Sequence, residues 1–167
     1  RSPEGPPVAA QIILASQSEG RKRLLDLSGI KYETMPSNIN EKSIRHQSPE
    51  ELVKRISAAK AKAVAKTITE TTEPKEPTLI IAGDVVVVVK QNQKPLILEK
   101  PETKEEAIKM LTLLSGKTFD VVAGLAVFNT KTKTLTTDAD TCSVTFRNLT
   151  KEEITDYVAR CPVTRYA

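Results

Sequence analysis

Tryptophan is absent from this 167-residue chain, and aromatic residues make up only 4% of it. So sparse a supply argues against a surface on which single-stranded bases stack. The two cysteines, Cys142 and Cys161, are too few and too irregularly spaced for a zinc site or a disulfide framework. They read as ordinary thiols of a reducing, cytoplasmic compartment. His46 is the single histidine and lies in a polar stretch, which disfavours histidine-based catalysis or metal binding. No apolar run is long enough to span a bilayer, so no membrane partner is expected. The opening Arg1-Ser-Pro-Glu-Gly-Pro-Pro7 lacks the apolar centre of a secretion signal and reads as a flexible tail over residues 1–10.

What is present is ordinary for a globular protein: 39% hydrophobic and 28% charged residues. The net charge of +4 favours anionic partners without singling out nucleic acid. A nucleic-acid role through Arg21, Lys22, Arg23 and a lysine-rich second helix is disfavoured by the scarce aromatics.

Strand and helix signals alternate along the chain. Residues 11–15 form a first strand, followed by a helix with Ser18 as N-cap, Leu24, Leu25 and Leu27 as its apolar face, and Gly29 as its stop. A short strand is expected over residues 31–35 and a polar loop over 36–47. Ser48-Pro-Glu-Glu51 combines an N-cap serine, a first-turn proline and a capping-box glutamate, and similar boxes begin at Thr103 and Thr150. A long strand pair follows around residues 78–98, with its hairpin tip at residues 90–94. Two β-rich runs occupy residues 119–128 and 135–146. The class is therefore α/β with a mixed sheet, and no domain linker is visible.

Asp84 stands out because it is embedded between Thr78-Leu-Ile-Ile-Ala-Gly83 and five valines, Val85 to Val89. A carboxylate in such surroundings needs a cation or hydrogen bonds to offset its desolvation. It is either a functional acid or one corner of a turn between two strands. The segment Leu14-Ala-Ser-Gln-Ser-Glu-Gly-Arg-Lys-Arg23 joins strand to helix and could hold a phosphate through free backbone N–H groups, hydroxyls and guanidinium. On spacing alone a capped surface helix with a solvated basic turn accounts for it somewhat better, and Glu19 places a negative charge beside any anion. Glu41, Lys60 and Lys100 are, one by one, ordinary surface charges. Lys60 lies among Ala59, Ala61 and Ala63, where a backbone or ligand could approach closely. Together with Asp84 and Arg21 they supply the parts for metal-assisted attack on a phosphate, with oxygen ligands that suit Mg²⁺.

The ordered set Leu14-Ala-Ser-x-Ser-x-x-Arg-x-x-Leu-Leu25, Lys60-Ala-x-Ala-Val-Ala65, Ile81-Ala-Gly-Asp84, Leu98-Glu-Lys-Pro101 and Ala107-Ile-x-Met-Leu-x-x-Leu-Ser-Gly116 resembles the Maf family of nucleoside triphosphate pyrophosphatases. Gly124-Leu-Ala-Val-Phe128 and the helix from Leu149 to Tyr157 fit the same family, so the resemblance runs from about residue 12 to the end. It implies an elongated mixed sheet in two lobes with a nucleotide cleft, the inosine-triphosphate pyrophosphatase-like fold, in a single domain over residues 11–167. It also implies cleavage of a nucleoside triphosphate to monophosphate and pyrophosphate with Mg²⁺ or Mn²⁺. By position Asp84 matches the catalytic acid and a metal ligand, and Glu41 a metal-associated carboxylate. Ser16, Ser18, Arg21, Lys60 and Lys100 match phosphate-binding positions. Family members are often dimeric, so a homodimer is the implied partner state.

Three departures qualify the resemblance. Glu19 and Gly20 stand where the family has proline and arginine, and Val85 stands where it has threonine or glutamine; Gly20 and Val85 are specificity positions in the family. The family also continues past Arg165-Tyr-Ala167, so the C-terminal part of the domain is expected to be missing. An alternative follows: a catalytically impaired nucleotide-binding or regulatory protein of the same fold.

Overall fold

Five consecutive valines favour extended backbone, because their branched Cβ atoms pack well on a pleated surface and lose freedom in a helix. The computed structural model describes residues 10–71, 77–91 and 93–163. In it those valines belong to β3 (Thr78–Gln91), one unbroken strand. Asp84 lies in mid-strand, so the turn-corner reading of Gly83 and Asp84 does not hold. The expected tail up to residue 9, residues 72–76 of the helix-to-strand connection, Asn92 of the hairpin tip and the final Arg165-Tyr-Ala167 lie outside the described residues.

β5 (Thr118–Asn129) runs antiparallel along β3, from Leu79 opposite Asn129 to Val88 opposite Asp120. β6 (Leu135–Thr145) continues the sheet beyond β5. On the other edge of β3, β1 (Gln11–Leu14) pairs in parallel and β4 (Lys94–Leu98) returns antiparallel as the hairpin expected from the sequence. β2 (Glu33–Thr34) lies outside β1, shorter than expected. The result is a six-stranded mixed sheet, ordered β2-β1-β3-β5-β6 with β4 on β3.

Four helices flank it: α1 (Glu19–Leu27), α2 (Pro49–Thr71), α3 (Lys104–Leu114) and α4 (Lys151–Arg160). Alternate residues of β3 serve the two faces, as the pleat requires. Ile80, Ala82 and Val86 pack with Ile56, Ala61, Val64 and Ala65 of α2. Val87 and Val89 join Leu114 of α3 and the edge-to-face pair Phe119 and Phe146 on the opposite side. β2 and β3 lie on opposite sides of β1, so right-handed connections place α1 and α2 on opposite faces. Among the described residues, no helix is long and apolar enough to cross a membrane.

Two local expectations are corrected. The apolar face of α1 is not buried: Leu24 and Leu27 are 68% and 74% exposed. Arg21 takes the inward stripe one turn ahead of half-buried Leu25, which turns Leu24 and Leu27 outward. Of the three capping boxes, the one at Thr150 closes reciprocally with Glu153. Ser48 accepts from the Glu51 N–H, but the Glu51 carboxylate pairs with Lys54; Thr103 accepts from the Glu106 N–H, but the Glu106 carboxylate turns to the N–H of Glu102.

Candidate active site

β1 and β4 share one edge of β3 without meeting. β1 ends with Leu14 opposite Ile81, and the pairing of β4 starts with Leu98 opposite Val87. On that edge, residues 82–86 have no strand partner among the described residues, and Asp84 is at the centre of the notch. The Ala15 N–H still donates to the Ile81 carbonyl, at 2.8 Å, after which the chain leaves for α1. Crevices of this kind, at the carboxyl end of a parallel strand whose connections diverge to both faces, are where α/β sheets bind ligands.

The position of α2 over this notch depends on a glycine. Gly124 is the register partner of Asp84. A Cβ there would fall 2.6 Å from the backbone carbonyl carbon and oxygen of Val53, so only glycine lets α2 come this close. Two turns beyond Val53, on the same stripe of the helix, stands Lys60. Ala61, beside Lys60, is also buried against Ala82 and Ala126. Lys60 is only 7% exposed, a burial that a cation tolerates when it is paired. Its Nζ lies 3.2 Å from Asp84 Oδ1 and 3.1 Å from Glu41 Oε1, and donates to the Gly83 carbonyl at 3.4 Å. Glu41 reaches it from the 3-10 turn Glu41–Ser43 in the loop after β2.

Arg21 approaches from α1. Its Nη1 donates to Ser16 Oγ at 3.1 Å, and the same oxygen accepts the Ser18 N–H at 3.1 Å. Ser18 is the N-cap of α1, though its own side chain makes no capping bond. Arg21 lies across Gly83, where a Cβ would come within 3.0 Å of Nε. Burial weakens the hold of the Arg21 guanidinium on its proton, and the charges of Asp84 and Glu41 oppose that. Burial likewise pushes the Asp84 carboxyl up; Lys60 is the main opposing influence, with Glu41 adding to the rise and Arg21 reducing it. The notch thus gathers two carboxylates and two cations, and burial raises the pKa of one of the acids.

The donor set fits a hard divalent cation. Glu41 and Asp84 offer oxygen alone, and no third acidic, histidine or cysteine side chain joins them among the described residues. Two carboxylates with substrate oxygens and water are a usual Mg²⁺ environment.

A family model described as Maf-like protein matches residues 11–166. The chain belongs to the Maf-like protein family. It is 38% identical over 149 residues to a dTTP/UTP pyrophosphatase of Geobacillus sp. (strain WCH70), covering 89% of this chain and 73% of that one. It is also 38% identical over 147 residues to a 7-methyl-GTP pyrophosphatase of Idiomarina loihiensis, covering 88% and 70%. Among solved structures, a nucleoside-triphosphatase / dITP/XTP pyrophosphatase from Mycobacterium abscessus aligns with a TM-score of 0.44 and 11% identity, over 81% of this chain and 73% of that one.

Of the other positions expected from the Maf resemblance, Gly20 and Lys100 lie around the notch, and Val85 lies within its strand segment but on the other face. Gly20 is exposed in the first turn of α1, and a Cβ there would meet only Ser18 Oγ, at 3.8 Å. Val85 points to the face opposite Asp84 and lines an apolar cavity of about 160 Å³ with Leu98, Pro101, Met110 and Tyr157. Lys100 is exposed on the rim of that cavity and is not drawn into the Lys60 cluster. Ser57, one turn before Lys60, was not singled out by the sequence: it is fully buried, and its Oγ has no hydrogen-bond partner among the described residues. Gly124 carried a readable signal, since glycine inside a strand often marks a close backbone approach.

Proposed function

We propose that this Maf-like protein hydrolyses nucleoside triphosphates to the monophosphate and pyrophosphate. One observation carries the reading: Lys60 joins Asp84 and Glu41 in an opening of the sheet that faces the Arg21–Ser16 turn. The named pyrophosphatase relatives support it. Arg21, Ser16 and the start of α1 hold phosphate oxygens through guanidinium, hydroxyl and backbone N–H donors. Lys60 balances the charge gathered at the α-phosphate, and Lys100 meets the substrate at the rim. The raised Asp84 carboxyl suits a proton acceptor working near neutrality. It takes the proton from the attacking water as the new bond to the α-phosphorus forms; the bond from that phosphorus to the α–β bridging oxygen breaks, and pyrophosphate leaves. Mg²⁺ or Mn²⁺, held by Glu41 and Asp84, would supply further neutralisation of phosphate charge. Val85 offers the base no hydrogen bond, so selection there works through shape and apolar contact.

A panel of canonical and methylated triphosphates, with Mg²⁺ or Mn²⁺ and pyrophosphate release as readout, tests this. Turnover that disappears in Asp84→Asn is the expected result. Thermal stabilisation by nucleotides without product would leave only a binding protein.

A further inference from the structure

The loop over residues 36–47 brings Glu41 to the notch with few contacts of its own. None of its residues is buried, and its backbone hydrogen bonds, such as Ser43 N–H to the Asn40 carbonyl, are local. Ile44 packs against the core beside Val53 and Ile56. The loop is not filled in against α3: an open cavity of about 540 Å³ separates Lys42, Arg45 and His46 from Ile97, Glu106 and Lys109. Two ion pairs cross that gap. Lys42 Nζ lies 2.5 Å from Glu102 Oε1, and Arg45 Nη1 lies 3.0 Å from Glu99 Oε1. Both acids belong to the connection between β4 and α3, which also carries Lys100.

Lys42 follows Glu41 within one 3-10 turn, so where the Lys42 side chain is fastened fixes where the Glu41 carboxylate can reach. We propose that Lys42–Glu102 and Arg45–Glu99 form an ionic latch that holds Glu41 at Lys60 and Asp84. That makes Lys42, Arg45, Glu99 and Glu102 positioning residues of the site. The proposal rests on the reading of the notch as a nucleotide and metal site. Single exposed ion pairs contribute little, but two acting on one short, poorly packed loop bias its position together.

The test measures hydrogen–deuterium exchange over residues 38–45 and Mn²⁺ binding by calorimetry, on the whole chain without nucleotide. Glu99→Gln with Glu102→Gln should speed exchange in that loop about three- to tenfold, leave the exchange of α2 unchanged, and weaken Mn²⁺ binding several-fold. The charge swap Lys42→Glu with Glu102→Lys should restore most of both. Loop exchange equal to wild type, a loosened loop with unchanged Mn²⁺ affinity, or a swap that restores nothing would each overturn the latch. Neither readout needs turnover, so a protein that hydrolyses nothing still decides the point. Wild-type protein that binds no Mn²⁺ would count against the metal reading alone, and the exchange data would then decide the latch.

Discussion

Lys60 Nζ meets Asp84 Oδ1 at 3.2 Å, although one residue rides on a helix and the other lies in mid-strand of the sheet beneath it. The contact exists because Gly124, opposite Asp84, lets the backbone of α2 descend onto β5. Even with Lys60 in place, burial holds the Asp84 carboxyl above its ordinary range. The site is therefore built at a cost to the fold, and that cost can be measured.

Asp84→Asn should lower turnover about 10²- to 10⁴-fold, the usual contribution of a general base. Stability should move the other way. A carboxyl raised on folding favours the native state below its unfolded pKa and loses that contribution as pH rises through the folded value. Asparagine remains neutral throughout. The variant's Tm should exceed that of wild type near about pH 8, with the gap closing towards about pH 4; thermal melts across that range check it.

Lys60→Met should be destabilising at neutral pH, by about 3 kcal/mol in urea titrations, because Asp84 and Glu41 are left facing one another without their shared cation. Acidification protonates Asp84, whose carboxyl is already raised by burial, so the deficit should shrink as pH falls. A deficit independent of pH would show that packing of the lysine stem, not charge, is what was lost.

The two notch glycines should separate stability from chemistry. Gly124→Ala drives a Cβ into the Val53 carbonyl and should cost about 1–3 kcal/mol, read as a lower urea midpoint. Gly83→Ala meets Arg21 Nε at 3.0 Å and the Gly124 carbonyl oxygen at 3.2 Å, so the midpoint should fall less than in Gly124→Ala while kcat/KM falls about tenfold through the displaced guanidinium.

Ser57→Ala should stabilise the protein by about 1 kcal/mol, since it removes a buried hydroxyl that has no partner among the described residues. A lower urea midpoint in this variant would point instead to a hydrogen bond made by that hydroxyl in solution.

Local chemistry was legible in the sequence, and distance was not. The valine run announced β3, and an acid inside it asked for a cation or hydrogen bonds, or else a turn, without saying which. Thr150 and Glu153 closed their capping box because every partner lies within one helical turn. At Ser48 and Thr103 the same pattern met competitors, Lys54 and the Glu102 N–H, and closed by half. Leu24 and Leu27 misled because periodicity marks an apolar stripe without saying which stripe faces the sheet; Arg21 claimed that side. The meeting of Glu41 with Lys60 depends on a loop path, and the notch depends on two strands stopping short of each other along β3. Neither is written in any one segment.

β3 and β5 are bonded residue for residue from Leu79 opposite Asn129 to Val88 opposite Asp120, straight through the level of Asp84. β1 pairs at one end of this ribbon and β4 at the other. A change of angle between those two ends would therefore need torsion of two paired strands rather than rotation about a loop.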